Sequence, residues 1–258
     1  MSTATRLWPL NGAYFTLDQG LIVLGHSGPI TVPIPAFLIQ HERGLVLFDT
    51  GVAPDAWDDP RSVYGPLLDV FQLECPPENK LENEIRRCGF ELGDITHVVI
   101  SHSHFDHTGG MYLFPQAEFY MSEEDLRYAY WPDAYCAGFF RSEDLERTKS
   151  FTWHPLNSDL DLFGDGSIQI LRTPGHTHGE LSMLLKLPSQ SFLLTGDAVH
   201  VRANIDGKVP CPVDLDTSTA LKSIERIRQV AQANSADIWV MHDPGDWAKY
   251  GTATDGHA

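Results

Sequence analysis

Short apolar runs punctuated by glycine and proline organise the chain from its beginning. "LIVLG" (21–25), "AFLIQ" (36–40) and "LVLFDTG" (45–51) are strand-length runs of branched and aromatic residues bounded by turn formers. They predict antiparallel strands joined by hairpins over the first fifty residues. "THVVISH" (96–102) predicts a buried strand that runs directly into a histidine cluster. "AEFYMSEEDL" (117–126) reads as a strand followed by a helix. Ser122 and Asp125, three residues apart, make a capping box there, and the acidic first turn suits the helix dipole. Further strands are predicted at "IQILRTPG" (168–175), "LSMLLKL" (181–187) and "SFLLTGDA" (191–198). The period then changes. Leu221, Ile224, Ile227 and Ala231 recur at helical spacing, with Lys222, Glu225, Arg226 and Gln229 on the other face. "DIWVMHD" (237–243) is the last predicted strand.

The strands form two groups, each accompanied by helices. This predicts an α/β fold of two mixed sheets packed face to face with helices outside. A doubly wound parallel sheet is the alternative, but "TPGHTHG" (173–179) lacks the GxGxxG spacing of a dinucleotide loop. No repeat, low-complexity tract or linker divides the sequence, so residues 1–258 are expected to form one domain. Residues 52–80 and 127–155 resist a strand or helix assignment. The second stretch is dense in aromatics, among them Tyr128, Trp131, Tyr135, Phe139, Phe140 and Trp153. Long irregular segments of this type serve as lids or interfaces, and a homodimer is a reasonable expectation.

Charge and composition narrow the partners. With 18 basic and 35 acidic side chains the formal charge is −17, which argues against nucleic acid or an anionic membrane surface as a partner. The apolar runs are far too short to span a bilayer. No basic segment followed by an apolar stretch opens the chain, so no signal peptide is expected. Cys75, Cys88, Cys136 and Cys211 are scattered without CxxC spacing and read as reduced thiols of a cytoplasmic protein.

The chemistry concentrates in "SHSHFDHTGG" (101–110), where His102, His104, Asp106 and His107 crowd around a strand end. Residues two apart in extended chain project the same way, so His102 and His104 can share one target, with Asp106 and His107 placed for a second after the turn. Imidazole nitrogen and carboxylate oxygen are donors that zinc accepts. His176 in "TPGHTHG", Asp197 in "LLTGDA" and His242 in "WVMHD" each stand at or just past the end of a predicted strand. Together these are five histidines and two aspartates, enough for two metals that share a carboxylate.

"HSHFDH" (102–107), with "TPGH" (173–176), "GD" (196–197), His242 and the early "FDTG" (48–51), resembles the metallo-β-lactamase superfamily over nearly the whole chain. The resemblance implies an αβ/βα sandwich and two divalent metal ions, zinc foremost. His102, His104 and His176 would hold one metal, Asp106, His107 and His242 the other, and Asp197 would bridge them. Asp49 and Ser101 would support the ligand histidines, which generally need a partner for the second ring nitrogen. His178 matches no ligand position and is expected at the surface.

Such a centre hydrolyses an ester, lactone, thioester, β-lactam or phosphodiester. Zinc β-lactamases commonly carry cysteine where this chain has Asp197, and nuclease members would want a basic surface. Glyoxalase II-like thioesterases need a basic segment after the bridging aspartate, which is missing here. "DAVHVRANIDGKVP" (197–210), followed by a helix and "MHD", is similar to the C-terminal third of the quorum-quenching N-acyl homoserine lactonases. The resemblance therefore implies a small-molecule lactone as substrate. Other lactonases of the pyridoxolactonase type, a thioesterase, or a metal-binding sensor without turnover are the alternatives. Those lactonases usually place a tyrosine three residues after the bridging aspartate. Here His200 stands in that position, where its N–H can polarise the lactone. Asp106 is expected to double as the proton donor to the leaving alkoxide. Glu180 replaces a histidine common in relatives and is read as tolerated variation outside the metal set.

Overall fold

In the computed structural model, which describes residues 3–258, the predicted hairpin Ala36–His41 and Gly44–Phe48 lies inside a six-stranded sheet. Ala4–Leu10, Ala36–His41, Gly44–Phe48, Ile95–Val99, Glu118–Ser122 and Thr152–Leu156 cross that sheet in chain order. Its first three strands pair antiparallel and the rest parallel. A five-stranded sheet follows, again in chain order: Leu160–Asp161, Ile168–Arg172, Leu181–Lys186, Ser191–Leu194 and Ala236–Trp239.

Period two then divides each strand between two apolar environments. Phe37, Ile39, Val46 and Phe48 pack against Ile170, Met183, Leu194 and Trp239 of the second sheet. Their neighbours Leu38, Leu45 and Leu47 pack instead with Leu81 and Ile85 of the helix Leu81–Arg87. On the far side, Leu184 and Leu193 meet Ile224 and Ile227 of the helix Thr217–Ala233. The layers are helix, sheet, sheet, helix, as expected. Strands buried on both faces read as near-continuous apolar runs, which is why the sequence pattern was so plain.

Local differences have physical causes. Residues 21–25 are not a strand. The two carboxylate oxygens of Asp18 accept the N–H groups of Gly20 and Gly28, and this closes a loop in which Gly25 and Gly28 take positive φ. Ile22 and Val23 are buried from that turn, beneath a third, three-stranded sheet built from Pro29–Pro33, Tyr14–Asp18 and Gln72–Glu74. On the helix Thr217–Ala233 the buried face is Ala220, Ile224, Ile227 and Ala231, and Leu221 is 37% exposed. Ser122 caps its helix through Glu124 N–H, but the Asp125 carboxylate does not return to Ser122. It accepts the N–H groups of Ser103 and Gly179 at 2.8 and 2.9 Å and so ties two loops together. Residues 52–80 contain the helix Pro60–Tyr64 and the strand Gln72–Glu74. Residues 127–155 contain the helix Ser142–Arg147 and the start of the edge strand Thr152–Leu156. Among the described residues no helix is long and apolar enough to cross a membrane.

Candidate metal centre

Five strands deliver their C-terminal ends to one rim. Gly44–Phe48 and Ile95–Val99 run parallel in the first sheet. In the second sheet Ser191–Leu194 runs parallel to Ala236–Trp239, and Ile168–Arg172 points the same way through two antiparallel pairings. The loops beyond them carry Asp49, the 101–107 cluster, His176, Asp197 and His242. After Ile95–Val99 the chain turns through His102–His104 into the short helix Phe105–Thr108. The glycine pair behind it is sterically required. A Cβ on Gly109 would lie 2.0 Å from Ala53 N, and one on Gly110 would lie 2.6 Å from Thr50 O. That close approach lets Thr50 hold the cluster from below, with its N–H and hydroxyl donating to His107 O at 2.9 and 2.7 Å.

All the expected ligand residues converge, and all are buried. His102, His104 and His176 form one group whose candidate donor atoms lie within 4.8 Å of one another, and Asp106, His107 and His242 form a second. Nδ1 of His104 is 3.0 Å from Nε2 of His176. Asp197 stands between the groups. Its Oδ1 is 2.9 Å from His242 Nε2 and 3.4 Å from His107 Nε2, while its Oδ2 is 3.7 Å from His176 Nε2 and 4.0 Å from His102 Nε2. One oxygen thus faces each histidine group.

The donor set fits two divalent cations. Nε2 of His102, His107 and His242 and Oδ1 of Asp197 are buried without a hydrogen bond, a costly arrangement unless the lone pairs are taken by something else. Burial, and then the neighbouring imidazoles, push His102 and His104 well below the usual histidine range, which leaves them as neutral donors. Nitrogen and carboxylate oxygen with no thiolate suit zinc, and also iron, cobalt or manganese.

The opposite ring nitrogens of four of the five histidines also have neighbours, His104 being the exception. Nδ1 of His107 lies 2.9 Å from Asp49 Oδ2, and Nδ1 of His242 donates to Pro33 O at 2.7 Å. Nδ1 of His102 is 3.1 Å from Ser101 Oγ and 3.2 Å from Glu180 Oε2, and Nδ1 of His176 is 3.4 Å from Asp214 Oδ1. Asp49 and Ser101 were expected in this role. Glu180 and Asp214 were not, because neither stands in a ligand motif and only the packing of loops brings them to the rings. Asp49 also accepts the N–H and hydroxyl of Ser101 at 2.7 and 2.8 Å.

His178 is exposed against Tyr128 and takes no part. His200 is closer to the centre than a rim residue. Its Nε2 is 3.2 Å from Asp197 Oδ2, and with His176 and Asp197 it makes a further donor group. A pocket opens over His104, Asp106, His176, Asp197, His200 and His242. Its walls are apolar: Phe15, Leu17, Ile22, Val32, Phe71 and Phe139. Most come from the third sheet and its turn. Residues 127–155 supply Phe139 alone, so the aromatic density there is not the main wall of the pocket.

A buried histidine–aspartate cradle at the shared rim of an αβ/βα sandwich defines a metal-dependent hydrolase scaffold. The chain belongs to the metallo-β-lactamase superfamily, whose family model matches residues 30–242. It is 31% identical over 239 residues to the N-acyl homoserine lactonase AttM of Rhizobium radiobacter, covering 91% of this chain and 90% of that one. Against the N-acyl homoserine lactonase AiiA of Bacillus thuringiensis subsp. kurstaki the identity is 27% over 243 residues, with 89% and 92% covered. A solved N-acyl homoserine lactone hydrolase, with the product N-hexanoyl-L-homoserine at its catalytic metal centre, superposes with a TM-score of 0.84 at 24% identity. The match covers 96% of each chain and establishes the shared fold.

Proposed function

We propose that this protein hydrolyses the lactone ring of N-acyl homoserine lactones and so quenches quorum signals. In this reading His102, His104 and His176 would hold one divalent metal, Asp106, His107 and His242 would hold a second, and Asp197 would serve both. Zinc is the proposed metal. The observation that carries the reading is the Asp197 carboxylate, with one oxygen toward each histidine group at the floor of an apolar pocket. The lactonase names of relatives that cover nine-tenths of the chain support the choice of substrate.

Two divalent cations, when bound, supply an activated water and a Lewis acid for the carbonyl. The chain's own groups do the rest. The pocket walls take the acyl tail, exclude water and set the ring over the carboxylates. His200 lines the floor and donates an N–H toward the carbonyl oxygen as negative charge develops there. Asp106, also on the pocket surface, takes the proton given up by the water whose oxygen bonds to the lactone carbonyl carbon. It passes that proton to the ring oxygen as the bond between that carbon and the ring oxygen breaks, leaving the N-acyl homoserine. Residues 1–258 act as one domain in this reading. The four free cysteines support a reducing, cytoplasmic setting, and the exposed Trp131 and Tyr135 support a homodimer.

The deciding experiment follows proton release by the zinc-loaded protein on N-acyl homoserine lactones of short, medium and long chain, beside a γ-lactone without an acyl chain and a glutathione thioester. Turnover that depends on the acyl chain supports the reading. Preference for the thioester, or metal-loaded protein silent on every lactone, overturns it.

A further inference from the structure

Glu180 precedes the strand Leu181–Lys186 and is wholly buried at the centre's rim. Oε1 accepts the backbone N–H of Asp197 at 3.0 Å. Oε2 lies 3.2 Å from Nδ1 of His102 and forms no hydrogen bond. Among the described residues no lysine or arginine pairs with this carboxyl group, and the His102 ring it faces is itself kept neutral by burial. Burying a carboxylate without lysine or arginine is costly, and here it is placed between a histidine of the first metal group and the shared aspartate. The surrounding chain is shaped to admit it. Gly196 takes φ 55°, and a Cβ there would come within 2.3 Å of Glu180 Oε1 and 2.7 Å of Leu181 O.

We infer that Glu180 is a positioning residue for the first metal: it holds His102 in the tautomer protonated at Nδ1, with the lone pair at Nε2, and pins the Asp197 backbone. The inference rests on the dinuclear reading above. A carboxylate opposite Nδ1 fixes the ring and raises the basicity of the other nitrogen. Ser101 Oγ gives its proton to Asp49 Oδ2 and so presents a lone pair to His102 Nδ1 at 3.1 Å; Glu180 adds a second, charged acceptor on the same side of the ring. In Glu180→Gln the side chain is nearly the same size. If its oxygen keeps the Asp197 N–H, its NH₂ faces His102 Nδ1 and favours the tautomer protonated at Nε2, which blocks the metal-binding lone pair.

The test uses the full-length, metal-free protein as wild type, Glu180→Gln and Glu180→Asp. Zinc is titrated against a chelating dye, and the imidazole ¹⁵N shifts of His102 are recorded before metal is added. Wild type should bind two zinc ions and show His102 protonated at Nδ1. Glu180→Gln should keep one site near wild-type affinity, bind the other about 10–100-fold more weakly, and lose the Nδ1–H tautomer. Glu180→Asp should recover part of both. Wild-type affinity at both sites with an unchanged tautomer in Glu180→Gln overturns the inference. So does a wild-type His102 protonated at Nε2, a readout that holds even if the variant fails to fold. Wild type that binds fewer than two ions overturns the dinuclear reading itself, and is distinguishable because no variant is involved.

Discussion

Asp49 adopts a left-handed backbone, φ 61°, and from it places Oδ2 2.9 Å from Nδ1 of His107. A non-glycine residue in that region is strained by about 1–3 kcal/mol and persists where its surroundings demand it. Here the strained turn delivers a buried carboxylate to Ser101 and to one histidine of the second group. Asparagine tolerates the same backbone but removes the charge. Asp49→Asn should therefore weaken zinc binding at one of the two positions about 10–100-fold, read by dye-competition titration. Two unchanged sites would show that Asp49 supports the loop and not the ligand.

His200 sits 3.2 Å from Asp197 Oδ2 and lines the pocket floor. If it donates to the lactone carbonyl, His200→Phe should lower kcat/KM by roughly 10–100-fold, about 1.4–2.8 kcal/mol of transition-state stabilisation, and leave two metals bound per chain. Steady-state kinetics alongside metal analysis decides this. A fall in metal content would make His200 a ligand instead, consistent with the donor group it forms with His176 and Asp197.

If the apolar walls take the acyl tail, chain length sets specificity. Each buried CH₂ contributes about 0.8 kcal/mol, so kcat/KM should climb roughly fourfold per methylene until the pocket is full. Leu17→Trp should add bulk to the wall that Leu17 shares with Phe71. It should cut activity on a decanoyl substrate by about tenfold or more and spare a butanoyl one. Equal losses on both would place the acyl chain elsewhere.

Stability should depend on pH through a site far from the metals. Partial burial opposes the charge of Asp165, but the Ser167 hydroxyl and N–H, then His41 and Arg43, hold its carboxyl well below the usual carboxylate range. A depressed folded-state pKa stabilises above the unfolded value near about 3.9 and loses that contribution as pH falls through the folded value. In melts of metal-free protein, Asp165→Asn should lower Tm at pH 7, and the gap from wild type should narrow below about pH 4. A gap that stays constant from pH 7 to 3 would show that charge is not involved.

The candidate ligand set was legible because it is local. Each ligand follows an apolar run whose length and bounding glycines mark a strand end, and strand ends meet at one rim once the strands are parallel. The layer order was legible for the same reason, since period two and period 3.6 are short-range properties. Where reading failed, a single side chain redirected the backbone or a neighbour. Asp18 turned an apolar run at 21–25 from strand into loop, and Asp125 bound two distant loops instead of its own helix cap.

What the sequence determined by itself is the chemistry available: the imidazoles, the carboxylates, and the order in which strands present them. Only the tertiary structure decided which oxygen of Asp197 faces which histidines, that Glu180 and Asp214 lie against His102 and His176, and that residues 15–32 supply more of the pocket wall than 127–155. The physical reason is distance along the chain. Periodicity and turn chemistry act over a few residues, whereas these contacts join loops tens of residues apart and depend on sheet register and layer packing.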